Sequence, residues 1–262
     1  MRRTYSTYRQ TADKPMQNHS GVQKRPFKKV RATAGGLVPY GPTRYYTPRP
    51  IGARGVSKGV DTDISEASVA TTMSNNQDVK VLNLIQAGTG SWNRVGRIVT
   101  MKSIRLRMQI QLSLSATDTN TRARLFRYLI VYDRQPNGTI PVKSDIIQFK
   151  DQSGTETGTW NGFMSYDNME RFTILKDQTI ELNVPPRTFD SAGVPKNIVD
   201  VEKYEECYLR LNHITNYKSE STPMTIADIS TGALYLVYLA DETEIASLSV
   251  KESYARLRYT DQ

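Results

Sequence analysis

The stretch IRLRMQIQLSL, residues 104–114, constrains this chain more than any other. Ile104, Leu106, Met108, Ile110, Leu112 and Leu114 alternate with Arg105, Arg107, Gln109, Gln111 and Ser113. Successive side chains of a strand point to opposite faces, so a period of two held this long demands a strand with one buried and one polar face. A helix would scatter the same residues around its circumference.

Similar runs recur between polar turns. Val79–Ile85, Ile198–Val201, Cys207–Ile214, Ala233–Leu239 and Tyr254–Tyr259 read as strands, and Arg171–Leu175 and Thr179–Val184 read as a pair flanking Lys176-Asp177-Gln178. Leu125–Tyr132 (LFRYLIVY) is apolar at nearly every position, the pattern of a strand covered on both sides. No stretch sustains the i, i+3, i+4 spacing of an amphipathic helix, and the best helical candidates are single turns such as Lys143–Phe149. Loops such as DRQPNGTIPV and NVPPRTFDSAGVPK carry the Pro, Gly and Asn that turns require. About nine or ten strands without crossover helices predict an all-β antiparallel sandwich or barrel.

Charge divides the chain. Residues 1–60 hold 13 Lys or Arg and one acid, Asp13, for a net of +12, whereas residues 61–262 hold 22 cations and 25 acids, a net of −3. The expected organisation is therefore a basic arm over 1–60 and a β body over 61–262. The arm has no apolar periodicity to offset an ordering cost of roughly 1–2 kcal/mol per residue, so it is expected to be largely disordered in isolation. Its densest segment, QKRPFKKVRA at 23–32, contains five cations and no carboxylate. Arg2, Arg3, Arg9, Lys14, Lys24, Arg25, Lys28, Lys29 and Arg31 suit phosphates without reading sequence, and Tyr5, Tyr8 and Phe27, with Tyr40, Tyr45 and Tyr46, can stack on exposed bases. Arginine mixed with aromatics favours single strands. Lys24, Arg25, Lys28, Lys29 and Arg31 also form a nuclear-localisation patch.

Other chemistries find little support. Cys207 is the only cysteine, so there is neither an internal disulfide nor a cysteine zinc site, and no metal or cofactor is expected. His19 and His213 lie far apart, and by alternation His213 shares a strand face with Cys207, Leu209 and Leu211, a core-edge position. QAGTGSWNRVGR lacks the third glycine of a dinucleotide fingerprint and the Gly-Lys-Ser/Thr of a P-loop, and reads as a turn. The acids at Asp61/Asp63, Glu202/Glu205/Glu206 and Asp241/Glu242/Glu244 fall at strand ends and loops, where solvated carboxylates are ordinary. The sequons at Asn18 and Asn137 read as chance matches. MRRTYSTYRQ has no apolar segment behind its cations, and the longest apolar run, Ala233–Ala240, is far shorter than the roughly 20 residues a bilayer span needs. A soluble protein made inside the cell, with no membrane insertion, is expected. No catalytic residue is assigned.

Four stretches carry a likeness: Asn93–Ile110 (NRVGRIVTMKSIRLRMQI), Leu125–Pro141 (LFRYLIVYDRQPNGTIP), Arg171–Asn183 (RFTILKDQTIELN), and Ala233–Glu242 with Arg256–Asp261. In these the chain resembles the capsid proteins of circular Rep-encoding single-stranded DNA viruses, the circovirus-like group. The resemblance implies a single eight-stranded antiparallel jelly roll, a closed icosahedral homo-oligomer of sixty copies, and arms facing inward onto a single-stranded DNA genome. It also implies a life divided between virion and host nucleus, with the host nuclear import machinery as a partner. Sixty arms at +12 supply roughly 720 positive charges, enough to offset a large part of a small genome at one charge per nucleotide. The loops Asp133–Lys143 and Asn161–Met169 are expected at subunit contacts and on the outer surface. The arm departs from circovirus arms in being diluted with Gly, Pro and Tyr from Gly35 to Gly59, so part of Leu37–Lys58 is expected to order along the inner wall.

One rival is a single-stranded DNA-binding nuclear shuttle protein that forms no shell. An enzyme such as a nuclease would need an acid cluster or a nucleophile with its base at credible spacing, and none is present. If the arm binds phosphates, affinity for a single strand should fall with salt at a log–log slope of about −0.7 per neutralised phosphate. Filter binding or fluorescence anisotropy from low to high salt measures it, and salt-independent affinity would contradict the assignment.

Overall fold

Residues 104–113 form the centre of a sheet, paired on both sides. The computed structural model describes residues 57–113, 123–157, 159–184, 200–220, 223–241 and 247–261, with the backbone of two short strands at 188–189 and 195–196. In chain order the elements are β1 (Lys58–Asp63), β2 (Val79–Val81), β3 (Ile98–Ser113), β4 (Arg124–Asp133), α1 (Lys143–Ile146), β5 (Ile147–Lys150), β6 (Glu156–Thr157) and β7 (Phe163–Met164). There follow β8 (Phe172–Leu182), β9 (Thr188–Phe189), β10 (Pro195–Lys196), β11 (Val201–Tyr217), β12 (Ile229–Thr231), β13 (Ala233–Ala240) and β14 (Ser247–Asp261). One sheet has the order β1-β14-β3-β11-β12 and the other β2-β13-β4-β8, and all their pairings are antiparallel. Leaving aside the three-residue β12, two four-stranded sheets face each other as an eight-stranded jelly roll.

The inner faces supply the core. From β3 come Ile104, Leu106, Met108, Ile110 and Leu112, all buried, each worth roughly 1.5–3 kcal/mol against exposure. Tyr128 and Tyr132 of β4 cross to the opposite sheet, the first to Glu205 Oε1 at 3.3 Å and the second to the Ile214 carbonyl at 2.8 Å. A buried polar cluster ties the sheets at one end. Asn83 Nδ2 donates to Thr215 Oγ1 (3.0 Å) and the Gly232 carbonyl (2.9 Å), its Oδ1 accepts from Leu234 N (3.0 Å), and Tyr217 Oη donates to its carbonyl (2.7 Å). As expected from its sequence, β4 is covered on both sides, since Arg127 and Asp133 on its other face bond to Gly162 and Arg171 of the loops outside.

Several boundaries differ from the expectation. Arg171–Leu175 and Thr179–Val184 are not two strands: β8 runs unbroken through Lys176-Asp177-Gln178 along β4, with one extra residue taken up opposite Ile130/Val131. Arg127 holds Asp177 from the neighbouring strand at 2.8 and 2.6 Å, which keeps that tripeptide in the sheet. The strand expected over Val79–Ile85 stops at Val81, where Asn83 turns into the polar cluster. α1 occupies the predicted helical turn but yields to β5 at Ile147. β1 takes in Lys58–Val60, three residues that charge assigns to the arm. Ile198 and Val199 lie outside the described residues.

Beneath the loop that leads to β2, Lys143 and Asp78 form an ion pair at 2.7 Å with both side chains fully buried, and Lys143 Nζ also donates to the Ala70 carbonyl at 2.6 Å. Burial pushes the Asp78 carboxyl above its ordinary range despite the lysine. Lys143→Met should cost about 3–5 kcal/mol near neutral pH, because it strands a buried charge. Without its counter-charge Asp78 binds a proton more tightly folded than unfolded, so the variant's stability should fall further as pH rises and partly recover in acid. Urea unfolding at two pH values checks this, and an equal loss at both would contradict it.

Candidate nucleic-acid interface

The outward face of the five-stranded sheet is set by the same alternation that builds the core. Strand register places residues in rows across it. Asp61, Arg256, Arg105 and Tyr208 stand side by side on β1, β14, β3 and β11. The next row is Asp63, Tyr254, Arg107 and Glu206, and the row on the other side is Gly59, Arg258, Ser103 and Arg210. Most of these residues line a shallow depression of about 760 Å³.

A bulge in β14 makes this arrangement possible. Leu248 and Val250 point inward at even positions, whereas Ala255, Leu257 and Tyr259 do so at odd positions. The phase changes between Lys251 and Tyr254, where β14 has one extra residue and Glu252 adopts φ +37°. Without that extra residue Arg256 and Arg258 would face the core, since a one-residue slip exchanges the two faces.

The electrostatics follow from the rows. Arg256 lies directly opposite Arg105, a like-charge pairing that costs stability in a sheet. Asp61 accepts from Arg256 Nε and Nη2 at 2.7 and 2.6 Å, and Glu206 pairs with Arg105. The Arg256 guanidinium holds the Asp61 carboxyl below its ordinary range. Arg107 reaches Glu206 only at 3.8 Å, and Arg210 and Arg258 form no ion pair with any described residue. Five guanidiniums thus meet three carboxylates, Asp61, Asp63 and Glu206, and Tyr208 and Tyr254 flank them with exposed rings. Guanidiniums bind phosphate in a bidentate fashion and phenol rings stack on bases of any identity, so the face is chemically equipped for single-stranded nucleic acid.

The expected arm residues, Arg2, Arg3, Tyr5, Tyr8, Arg9, Lys14, Lys24, Arg25, Phe27, Lys28, Lys29 and Arg31, lie outside the described residues, as do His19, Glu242 and Glu244. His213 sits at the core edge, stacked on Tyr132 at 4.3 Å between ring centroids, and burial lowers its pKa. Cys207 faces Tyr128. The Gly88–Gly96 segment is a turn, but its centre is Arg94, which the sequence reading passed over. That side chain is buried, donates to the carbonyls of Ile85 (3.0 Å), Gly96 (2.9 Å) and Ser219 (2.5 Å), and lies 4.3 Å from the Tyr217 ring centroid. Among the described residues no group of His, Cys, Asp and Glu has metal-binding geometry. No helix of the described residues is long and apolar enough to cross a membrane.

The sheet face itself also escaped the sequence reading. Its signal was the Arg-Leu-Arg tripeptide, present at both 105–107 and 256–258, which the sheet sets on neighbouring strands offset by two residues, so that Arg105 and Arg256 stand opposite each other. Arg107→Gln combined with Arg258→Gln in the full chain should weaken single-strand binding and reduce the salt slope by about 1.4. Tyr208→Ala should weaken binding by about 1–3 kcal/mol with the slope unchanged. Anisotropy titrations over a salt series separate these effects, and wild-type affinity in both variants would remove the face from consideration.

A family model described as Geminivirus coat protein/nuclear export factor BR1 family matches residues 1–261. No curated protein matches the chain. The circovirus-like resemblance thus reached the right class, the coat proteins of circular single-stranded DNA viruses, and the family within it is the geminivirus one.

Proposed function

The chain belongs to the geminivirus coat protein/nuclear export factor BR1 family, and from that premise we propose that it is a coat protein that assembles into a closed icosahedral shell and packages single-stranded DNA. The observation that carries this reading is the separation of charge, +12 on residues 1–60 against −3 on the rest. A cationic segment without apolar groups to bury can follow an irregular polyanion, and a near-neutral body can approach copies of itself without strong repulsion. β1 continues directly from the arm into the sheet that carries Arg105, Arg107, Arg256 and Arg258. The arm would supply most of the charge that offsets the nucleic acid, and the face would hold individual nucleotides. Lys24, Arg25, Lys28, Lys29 and Arg31 would first serve to bring the protein into the host nucleus through the import machinery, and then bind DNA.

A second reading is favoured by the other half of the family's description: a nuclear shuttle protein that binds single-stranded DNA and builds no shell. The two readings share the arm and the face and differ in self-association. Deletion of residues 1–34 is expected to leave shells that form in electron micrographs but carry little nucleic acid by absorbance ratio. Equal packaging by the truncated and intact proteins would contradict the arm's role, and an absence of regular particles from the intact protein at every salt concentration would favour the shuttle.

A further inference from the structure

The arginines of the cationic face divide into two groups. In the middle of the face Arg256 is held by Asp61 at 2.7 and 2.6 Å and Arg105 is paired with Glu206, so neither guanidinium meets a phosphate without giving up a carboxylate. The row Gly59, Arg258, Ser103 and Arg210 contains no acid. Both of its arginines are exposed, and neither donates to any described residue. Asp61 stands one row away and is taken by Arg256, while Asp63 and Glu206 stand two rows away.

Between the two free arginines lies a notch. Ser103 has the outward parity of Arg105 and Arg107 and lines the depression together with Arg258, yet it is only 7% exposed, because longer side chains rise around it. Its hydroxyl has no hydrogen-bond partner among the described residues. Buried hydroxyls are normally satisfied, so an unused donor in the floor of a cationic depression is suited to an anion. Arg258 and Arg210 flank Ser103 on β14 and β11, about 10 Å apart at ordinary strand spacing, a gap that two arginine side chains can close over one phosphate. On the other side of Arg258 is Gly59, where a Cβ would meet, of the described residues, only the Leu257 carbonyl at 3.6 Å. Crowding therefore does not call for a glycine there, and its missing side chain leaves that flank of Arg258 open. Tyr208 lies two residues along β11 from Arg210 on the same face, about 7 Å away, with its ring exposed.

We infer that a backbone phosphate of single-stranded nucleic acid sits over Ser103 between Arg210 and Arg258, accepting from the hydroxyl and both guanidiniums, while the base of the same nucleotide stacks on Tyr208. Guanidiniums on two sides and a hydroxyl beneath match the several acceptor oxygens of a phosphate, and an exposed phenol ring takes a base of any identity. This rests on the reading of the chain as a coat protein that packages single-stranded DNA, and it names the place on the face where a nucleotide is held.

The experiment uses the full chain, linked by ultraviolet light to a short oligothymidylate over a range of concentrations, with the yields at Tyr208 and on the arm read separately by peptide mapping. Ser103→Ala, which keeps the notch and both arginines, should raise the oligonucleotide concentration needed for half-maximal linking at Tyr208 about tenfold. Arg210→Gln combined with Arg258→Gln should raise it further, and arm linking should persist in both variants. Thermal melts confirm folding, and if the arginine variant does not fold, the Ser103→Ala result decides. Linking at Tyr208 at the wild-type concentration in either folded variant, or wild-type linking confined to the arm, would overturn the subsite while leaving the packaging reading intact. Absence of linking at both Tyr208 and the arm in the wild-type protein would remove both.

Discussion

Everything on this molecule depends on the phase of one strand. β3 is paired along its length on both sides, to β14 and β11, and its alternation commits Ile104, Leu106, Met108, Ile110 and Leu112 to the interior. Arg105 and Arg107 then have one place to go. The register of the neighbours brings Arg256, Arg258 and Arg210 to the same region, and the β14 bulge corrects that strand's phase so that its arginines join them. The core and the cationic face are two consequences of one spacing, and a single-residue slip would destroy both.

How much of this could be read beforehand depended on how local its cause was. β3, β4 and β13 are legible because each carries its own pattern, alternating in β3 and continuously apolar in the other two. β1, KGVDTD, is not, because an edge strand with one partner needs only Val60 as an apolar contact. The Lys176-Asp177-Gln178 tripeptide reads as a turn from composition, and only the diagonal contact from Arg127 shows why it stays extended. In SLSVKESYARLRY the change of apolar parity between Val250 and Ala255 is the visible trace of the bulge, yet the strand was expected to begin only at Tyr254.

Arginine shows why the candidate site was harder to read than the fold. Arg94 and Arg127 are buried and shape loops by donating to backbone carbonyls, Arg127 also holding the Asp177 carboxylate, while Arg105, Arg107, Arg256 and Arg258 stand outward in a cluster. Nothing in the residue type separates these uses. Summing residues 61–262 to −3 conceals a patch with five guanidiniums and three carboxylates, because acids elsewhere, such as Glu202 and Asp200, sit at the other end of the same sheet. Charge acts over about a Debye length, close to 10 Å at moderate salt, so a local patch matters to a phosphate even when the total is slightly negative.

The proposed coat-protein role requires that nucleic acid touch the arm and also the outward face of the β1-β14-β3-β11-β12 sheet. Photo-cross-linking a short single-stranded oligonucleotide to the full chain, followed by peptide mapping, tests it most directly. Cross-links are expected in peptides from residues 1–34 and at Tyr208 and Tyr254. Cross-links confined to the four-stranded sheet and its covering loops, with none on the arm or those tyrosines, would contradict it.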